Sequence, residues 1–120
     1  MQESAQTIKV VVVGGGQAGL SASYFLSKSG IEHVVFERSQ RFHSWKNDRW
    51  DSFCLVTPNW QCRLPEWPYT GHDPTGYMVK DDIVDYLEGF ANSFEPPIQE
   101  GVRVTDVERC PDGKISITTN

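Results

Sequence analysis

Cysteine is scarce in this chain. The three present, Cys54, Cys62 and Cys110, show no CxxC spacing. That excludes a disulfide-built scaffold and a structural zinc site, and it suits a reducing, cytoplasmic compartment. Positive charge is also short: 11 Lys+Arg stand against 16 Asp+Glu, a net charge of −5, with no basic cluster to offset it. A nucleic-acid partner is not expected from such a balance. Long apolar runs are missing. The longest, Val10 to Val13, is far too short for a membrane span, and no charged start leads into an apolar signal core. Histidine is rare and scattered: His33, His43 and His72 have no partner at metal-ligand spacing, and His33 reads as a surface residue. Ser21, Ser23 and Ser27 lie outside any GxSxG elbow, so nucleophilic hydrolysis finds no support.

What remains is an ordinary globular composition of 120 residues, 38% hydrophobic with ten glycines. One small domain fits that length. Residues 1–7 are polar and read as a flexible leader. Ile8 to Val13, IKVVVV, has the β-branched, nearly continuous apolar character of a strand buried on both faces. A glycine turn follows, then a helix to about Ser29 with Ala18, Ala22, Phe25 and Leu26 on its expected inner face. Lys28 and Gly30 mark its end. His33 to Glu37, HVVFE, is a second strand, and the order strand, turn, helix, strand opens a βαβ unit.

Between Phe42 and Tyr77 the periodicity is lost, yet all four tryptophans fall there. A long irregular segment inside a compact domain is functional or disordered, and four Trp argue against disorder. From Lys80 the helical spacing of Ile83, Val84, Leu87, Phe90, Ala91 and Phe94 predicts a second long helix, ended by Pro96-Pro97. Asp81, Asp82 and Asp85 sit in its first turns, where the helix dipole favours negative charge. Val102, Val104 and Val107 predict a strand. The turn Pro111-Asp112-Gly113-Lys114 then joins it to a hairpin partner from Ile115 to Thr119. The chain stops inside that strand, so residues 1–120 read as a partial dinucleotide-binding domain of a longer protein.

Gly14-Gly15-Gly16-Gln17-Ala18-Gly19 fits GxGxxG. Gly14 suits the tight turn, Gly16 the close approach of a pyrophosphate, and Gly19 close helix–strand packing. The helix start offers free N–H groups and a positive dipole end. Glu37 follows 23 residues after Gly14, near the position of the acid that takes ribose hydroxyls. The strand before, the helix after and the acid beyond make the motif specific where the glycines alone are not. Arg38 has two readings: a partner for a 2′-phosphate, which would indicate NADP, or a solvated charge beside the adenosine, since Glu37 repels a phosphate there.

The stretch VVVGGGQAGLSASYFLSKSG…VVFERS resembles the N-terminal FAD-binding segment of the two-dinucleotide-binding-domain flavoproteins. Within these it is most similar to the flavin-containing monooxygenase-like group, which includes plant YUCCA-type and bacterial enzymes. WKNDRWDSFCLVTPNWQCRLPEWPY (Trp45 to Tyr69), followed by GYMVKDDIVDYLEGFA, carries the resemblance more specifically than the glycines do. It implies a Rossmann-like three-layer α/β fold, truncated here, with FAD as cofactor. The FAD pyrophosphate would lie on Gly14, Gly16, Gln17, Ala18 and Gly19, and the adenosine ribose on Glu37, with Arg38 on the adenine side. Trp45 and Thr57 would face the flavin-ward part of the cofactor, and the Val104 backbone the adenine edge. Pro58 and Asn59 would fall beside Thr57, with Asn59 one place from an Asn that some relatives carry. Two departures stand out. Phe42-His43-Ser44 occupies the place where relatives carry Gly-Gly or Gly-Ser, and no second GxGxxG for NADPH occurs in these residues. The resemblance further implies an NADPH-dependent oxygenation of a small-molecule substrate by the parent protein, with this chain alone inactive. The rival readings are an NAD(P)-binding dehydrogenase domain and a non-catalytic fragment. Oligomeric state is left open.

Overall fold

The computed structural model describes residues 5–120, so residues 1–4 of the expected leader lie outside the described residues. Three parallel strands form the central sheet: β1 (Val10–Val13), β2 (His33–Glu37) and β5 (Ile98–Glu100), in the order β1-β2-β5. Val10 pairs with His33 and Val13 with Phe36 on one side of β2, and Val35 with Ile98 on the other. The central strand is the most buried, through Val34 and Val35. β5 falls outside the sequence expectation. Its three residues, Ile98, Gln99 and Glu100, carry no apolar pattern and follow two prolines. The strand exists because β2 offers a free edge, and the ladder begins on the Pro97 carbonyl, which accepts from Val35 N–H at 2.9 Å.

Helix α1 (Gln17–Lys28) joins β1 to β2, and α3 (Lys80–Phe94) leads into β5. The two helices pack against each other, so they lie on the same face of the sheet. The end of α1 is a Schellman motif: Gly30, at φ 69°, donates to Ser27 O and Ile31 donates to Leu26 O. The inner face of α1 differs from expectation. Leu20 and Ser23 are fully buried, whereas Ala18 and Ala22 are exposed and Phe25 is 56% exposed. Leu20 and Ser23 sit three apart, on the side that α3 and β2 cover. Phe25 projects to the other side, which nothing covers among the described residues.

His33 is also not a plain surface residue. Its Nδ1 faces the Ile31 carbonyl at 2.9 Å and so carries the hydrogen. Nε2 is then left to accept from the Ser23 hydroxyl at 2.7 Å, which ties β2 to α1.

The core gathers Leu20, Phe42, Leu64, Met78, Ile83, Leu87, Phe90 and Ala91. Four of these lie on α3, at the helical spacing the sequence shows. Phe42 and Leu64 come from the aperiodic segment and Met78 directly follows it, so the segment is ordered by packing. That segment contains α2 (His43–Asn47), a 3-10 turn at Asn59–Gln61, and the two-residue strands β3 (Arg63–Leu64) and β4 (Trp67–Pro68). Tyr86 of α3 holds the small hairpin. Its hydroxyl accepts from Leu64 N–H at 3.1 Å and donates toward the carbonyls of Cys62 and Trp67. Burial pushes its phenol up from the usual range.

The final hairpin, β6 (Val104–Arg109) with β7 (Ile115–Thr119), is a separate antiparallel sheet, turning at Gly113. Val102 precedes the strand instead of joining it. No helix among the described residues is long and apolar enough to cross a membrane.

Candidate functional site

The four glycines of the turn are needed for different reasons. Gly14 takes φ 100°, a conformation costly for any residue with a Cβ, and its N–H extends the β1–β2 ladder to Phe36 O at 2.8 Å. Gly19 is enforced by contact: a Cβ there would lie 1.9 Å from Gly14 O. Gly15, which the motif leaves unassigned, is closely packed: a Cβ would lie 2.7 Å from Ile98 Cδ1, the far end of a side chain that can turn away, and 3.2 Å from Glu37 Cβ. The run of three glycines was the only sequence signal for it, and its reason lies in β5. Gly16 alone has no such cause. Its backbone is extended, at φ −83° and ψ −166°, and no atom lies within 4 Å of where its Cβ would be.

Gly16 caps α1 without a side-chain bond. The ladder closes first at Leu20 N–H on Gly16 O, 2.9 Å. The N–H groups of Gln17, Ala18 and Gly19 therefore have no intrahelical partner. Gln17 and Ala18 are exposed, and no acid occupies the first turn. This is the geometry of an anion site at a helix start.

Glu37 closes the turn from the side. Its Oε1 accepts from Gly15 N–H at 3.0 Å and its Oε2 from Ser39 N–H at 2.7 Å. Its carbonyl accepts from Val102 N–H at 3.0 Å, and Gly101 N–H bonds to Ser39 O at 3.2 Å. The carboxylate thus ties the glycine turn to the chain leaving β2, whose backbone in turn holds the chain leaving β5. Arg38, next in sequence, is exposed and makes no ion pair among the described residues. Val104 lies two residues past the contact at Val102, where it opens β6 opposite Thr119.

Gln17, Trp45 and Thr57, separated widely in sequence, line one cavity of about 230 Å³. Its wall continues through Gln61, Cys62, Arg63 and Tyr86, none of which sequence reasoning had selected. Burial pushes the Cys62 thiol up, which keeps it protonated and poorly nucleophilic. Trp45 stands on α2 with the Arg49 guanidinium 4.5 Å over its ring. The residue before α2, Phe42, takes φ 62°, and its side chain is buried in the core. Asn59 parts from Thr57: it is buried, turned toward Asp73 and Gly76, and lines a different cavity.

Comparison with known proteins gives the family and the fold. Residues 11–120 match the profile of the pyridine nucleotide-disulphide oxidoreductases. The chain belongs to that family. An uncharacterized CzcO-like oxidoreductase from Geobacillus kaustophilus is 39% identical over 114 residues, covering 94% of this chain and 32% of that protein. Indole-3-pyruvate monooxygenase YUCCA6 from Arabidopsis thaliana is 37% identical over 86 residues, 71% of this chain and 20% of that one. A flavin-containing monooxygenase from Stenotrophomonas maltophilia superimposes with a TM-score of 0.73 at 30% identity, over 92% of this chain and 36% of its own. A bacillithiol disulfide reductase from Staphylococcus aureus, at 18% identity and a TM-score of 0.83, has the same fold over 96% of this chain and 34% of its own. The chain thus spans about a third or less of the length of the curated relatives it matches. The fold is the mixed α/β, Rossmann-like fold of flavoprotein nucleotide-binding domains, as the resemblance implied.

Proposed function

We propose that this chain is the FAD-binding part of a flavin-dependent oxidoreductase, an NADPH-dependent monooxygenase acting on a small-molecule substrate in a reducing, cytoplasmic compartment. The observation that carries the reading is Gly16. Neither its backbone conformation nor any neighbouring atom requires glycine there, whereas a pyrophosphate seated on the helix start would. The residues present fit FAD. The Gln17 and Ala18 N–H groups hold the pyrophosphate, with Gly14 and Gly19 shaping the turn that presents them. Glu37, already fixed by two backbone amides, takes the ribose hydroxyls. Arg38 would lie toward the adenine side, and the Val104 backbone toward the adenine edge. Trp45 and Thr57, which line one cavity with Gln17, would face the flavin-ward part of the cofactor.

FAD would supply the redox chemistry when bound, accepting a hydride from NADPH and activating O₂ for transfer to substrate. The task of these residues is to bind, orient and exclude water. Glu37 also selects: its carboxylate disfavours a 2′-phosphate at the ribose, which supports FAD over NADP at this turn.

Thermal unfolding with added ligands tests the reading. A ligand that binds only the folded chain raises its melting temperature. FAD is expected to do so, and NAD and NADP are not. Stabilisation by NAD with none by FAD would move the assignment to a dehydrogenase domain.

A further inference from the structure

Arg49 is a half-buried charge that makes no ion pair among the described residues. Acids stand close to it in the chain. Asp48 precedes it, and Asp51 follows shortly after but bonds to Lys80 at 3.4 Å. The guanidinium faces rings instead. It stands 4.5 Å from the centre of Trp45 and 5.6 Å from that of Phe53. Both distances are within reach of a cation–π contact. The two rings also pack on each other, tilted at 59° with centres 5.9 Å apart. A guanidinium suits such a place, being flat, weakly hydrated and able to stack on an aromatic face.

The backbone under Trp45 has supports of its own. Helix α2 is five residues long, too short to hold itself. Lys46 pairs with Glu88 of α3 at 2.9 Å, and its carbonyl accepts from Lys80 Nζ at 3.5 Å. These bonds fix the helix, not the rotation of the indole upon it. The ring is held by the contacts on its own surface: the core, Phe53 and Arg49. That ring is also a wall of the cavity that Gln17, the first residue of α1, and Thr57 line. The contact that joins Arg49 to this cavity is therefore the Trp45 ring.

We propose that Arg49 is a positioning residue for the cofactor cavity: stacked on Trp45, it keeps the indole in place as a preformed wall. The inference rests on reading this cavity as the flavin-ward part of the FAD site. A side chain that must be ordered when a ligand arrives weakens binding, and one already ordered spares that cost. Trp45 meets the cofactor; Arg49 acts through it.

Two measurements on the full chain test this, both with Arg49→Met, which removes the charge and keeps much of the apolar stem. The first is fluorine NMR of the ligand-free chain labelled with fluorotryptophan. The Trp45 signal, assigned from Trp45→Phe, should shift and broaden in Arg49→Met, while those of Trp60 and Trp67 stay. An unchanged Trp45 signal would overturn the proposal, and so would movement of every signal, which marks a disturbed fold. The second is calorimetric titration of FAD. Arg49→Met should weaken binding about two- to tenfold, the cost of ordering one side chain. Arg49→Lys, which keeps a cation over the ring, should fall between it and wild type. In a Trp45→Leu background the same Arg49→Met change should alter the affinity by less than about twofold, because the ring it acts through is gone. Equal FAD affinity in wild type and Arg49→Met, or a loss undiminished without Trp45, would overturn this proposal and leave the FAD site standing. No FAD binding by wild type would overturn the FAD reading and this proposal with it.

Discussion

Of the glycines at the turn, Gly19 and Gly16 separate the demands of the fold from those of a ligand. At Gly19 a methyl group would strike the Gly14 carbonyl, a backbone atom that moves only if β1 or α1 moves with it. Gly19→Ala is expected to lower stability by at least about 2 kcal/mol, as overpacking of a close contact does. A urea unfolding curve would show it as a lower midpoint with unchanged slope. At Gly16 the same methyl group meets nothing within the protein. The motif names both positions equally, and only the packed structure tells them apart. Gly15 shows the opposite limit. Its neighbour Ile98 lies 83 residues away in a strand with no sequence signature, so the close packing there could not be seen from the chain alone. The same holds for Glu37. Its distance from Gly14 was legible, but its bonds to the Gly15 and Ser39 amides depend on the path after β2.

At the scale of elements, strong periodicity was readable and weak periodicity was not. The β1–α1–β2 unit, α3 and the last hairpin form where their patterns and turn residues place them, although the face that α1 buries and the exposure of the hairpin differ from the pattern. The segment between residues 42 and 77 is held instead by single side chains. Tyr86 is one of them, serving three backbone groups of the β3–β4 region. Tyr86→Phe leaves Leu64 N–H without an acceptor and should cost about 1–3 kcal/mol. Faster amide exchange confined to residues 62–68 is the accompanying sign, and protection equal to wild type would show that the hydroxyl is dispensable.

A second tie joins α1 to the β3–β4 turn. Lys28 and Tyr24 both donate to the Glu66 carboxylate. The Lys28 bond, then that of Tyr24, holds Glu66 below the usual carboxylate range. Bonding to Glu66 raises both Lys28 and Tyr24. The lowered acid contributes stability present above its unfolded pKa and lost as pH falls through its folded one. The raised groups contribute stability present below their unfolded pKa values and lost as pH rises through the folded ones. All three groups are solvent-exposed, so the effect is small. The melting difference between wild type and Glu66→Gln should be greatest near neutral pH and shrink toward both extremes. A difference constant from acid to alkaline pH would contradict the tie.

At the scale of the whole molecule the chain is extended, with a radius of gyration of 16.7 Å and extents of 52 × 32 × 22 Å. A compact chain of this length would have about 14 Å. The β6–β7 hairpin accounts for much of the excess: Val107 and Ile115 on it are 55% and 59% exposed. On the central sheet, β1 pairs only with β2 among the described strands, and Val13 on β1 and Phe25 on α1 are largely exposed. Open edges and apolar faces promote pairing between chains. The chain is therefore expected to self-associate as concentration rises. Phe25→Lys should shift its sedimentation toward the monomer, whereas a monomer at all concentrations would contradict the expectation. The pattern of alternating strand and helix gave the fold class. It gave no measure of which faces stay uncovered, because burial depends on neighbours that local sequence does not encode.

The central claim is that the glycine turn holds FAD. The direct test is flavin absorbance retained by the chain after mixing with FAD and exhaustive dialysis, for wild type and Gly16→Ala in parallel. Wild type should retain the flavin and Gly16→Ala should lose it, while both melt at nearly the same temperature without ligand, since substitution at a helix N-cap by alanine costs only about 1 kcal/mol. Flavin retained equally by the two proteins would contradict the account.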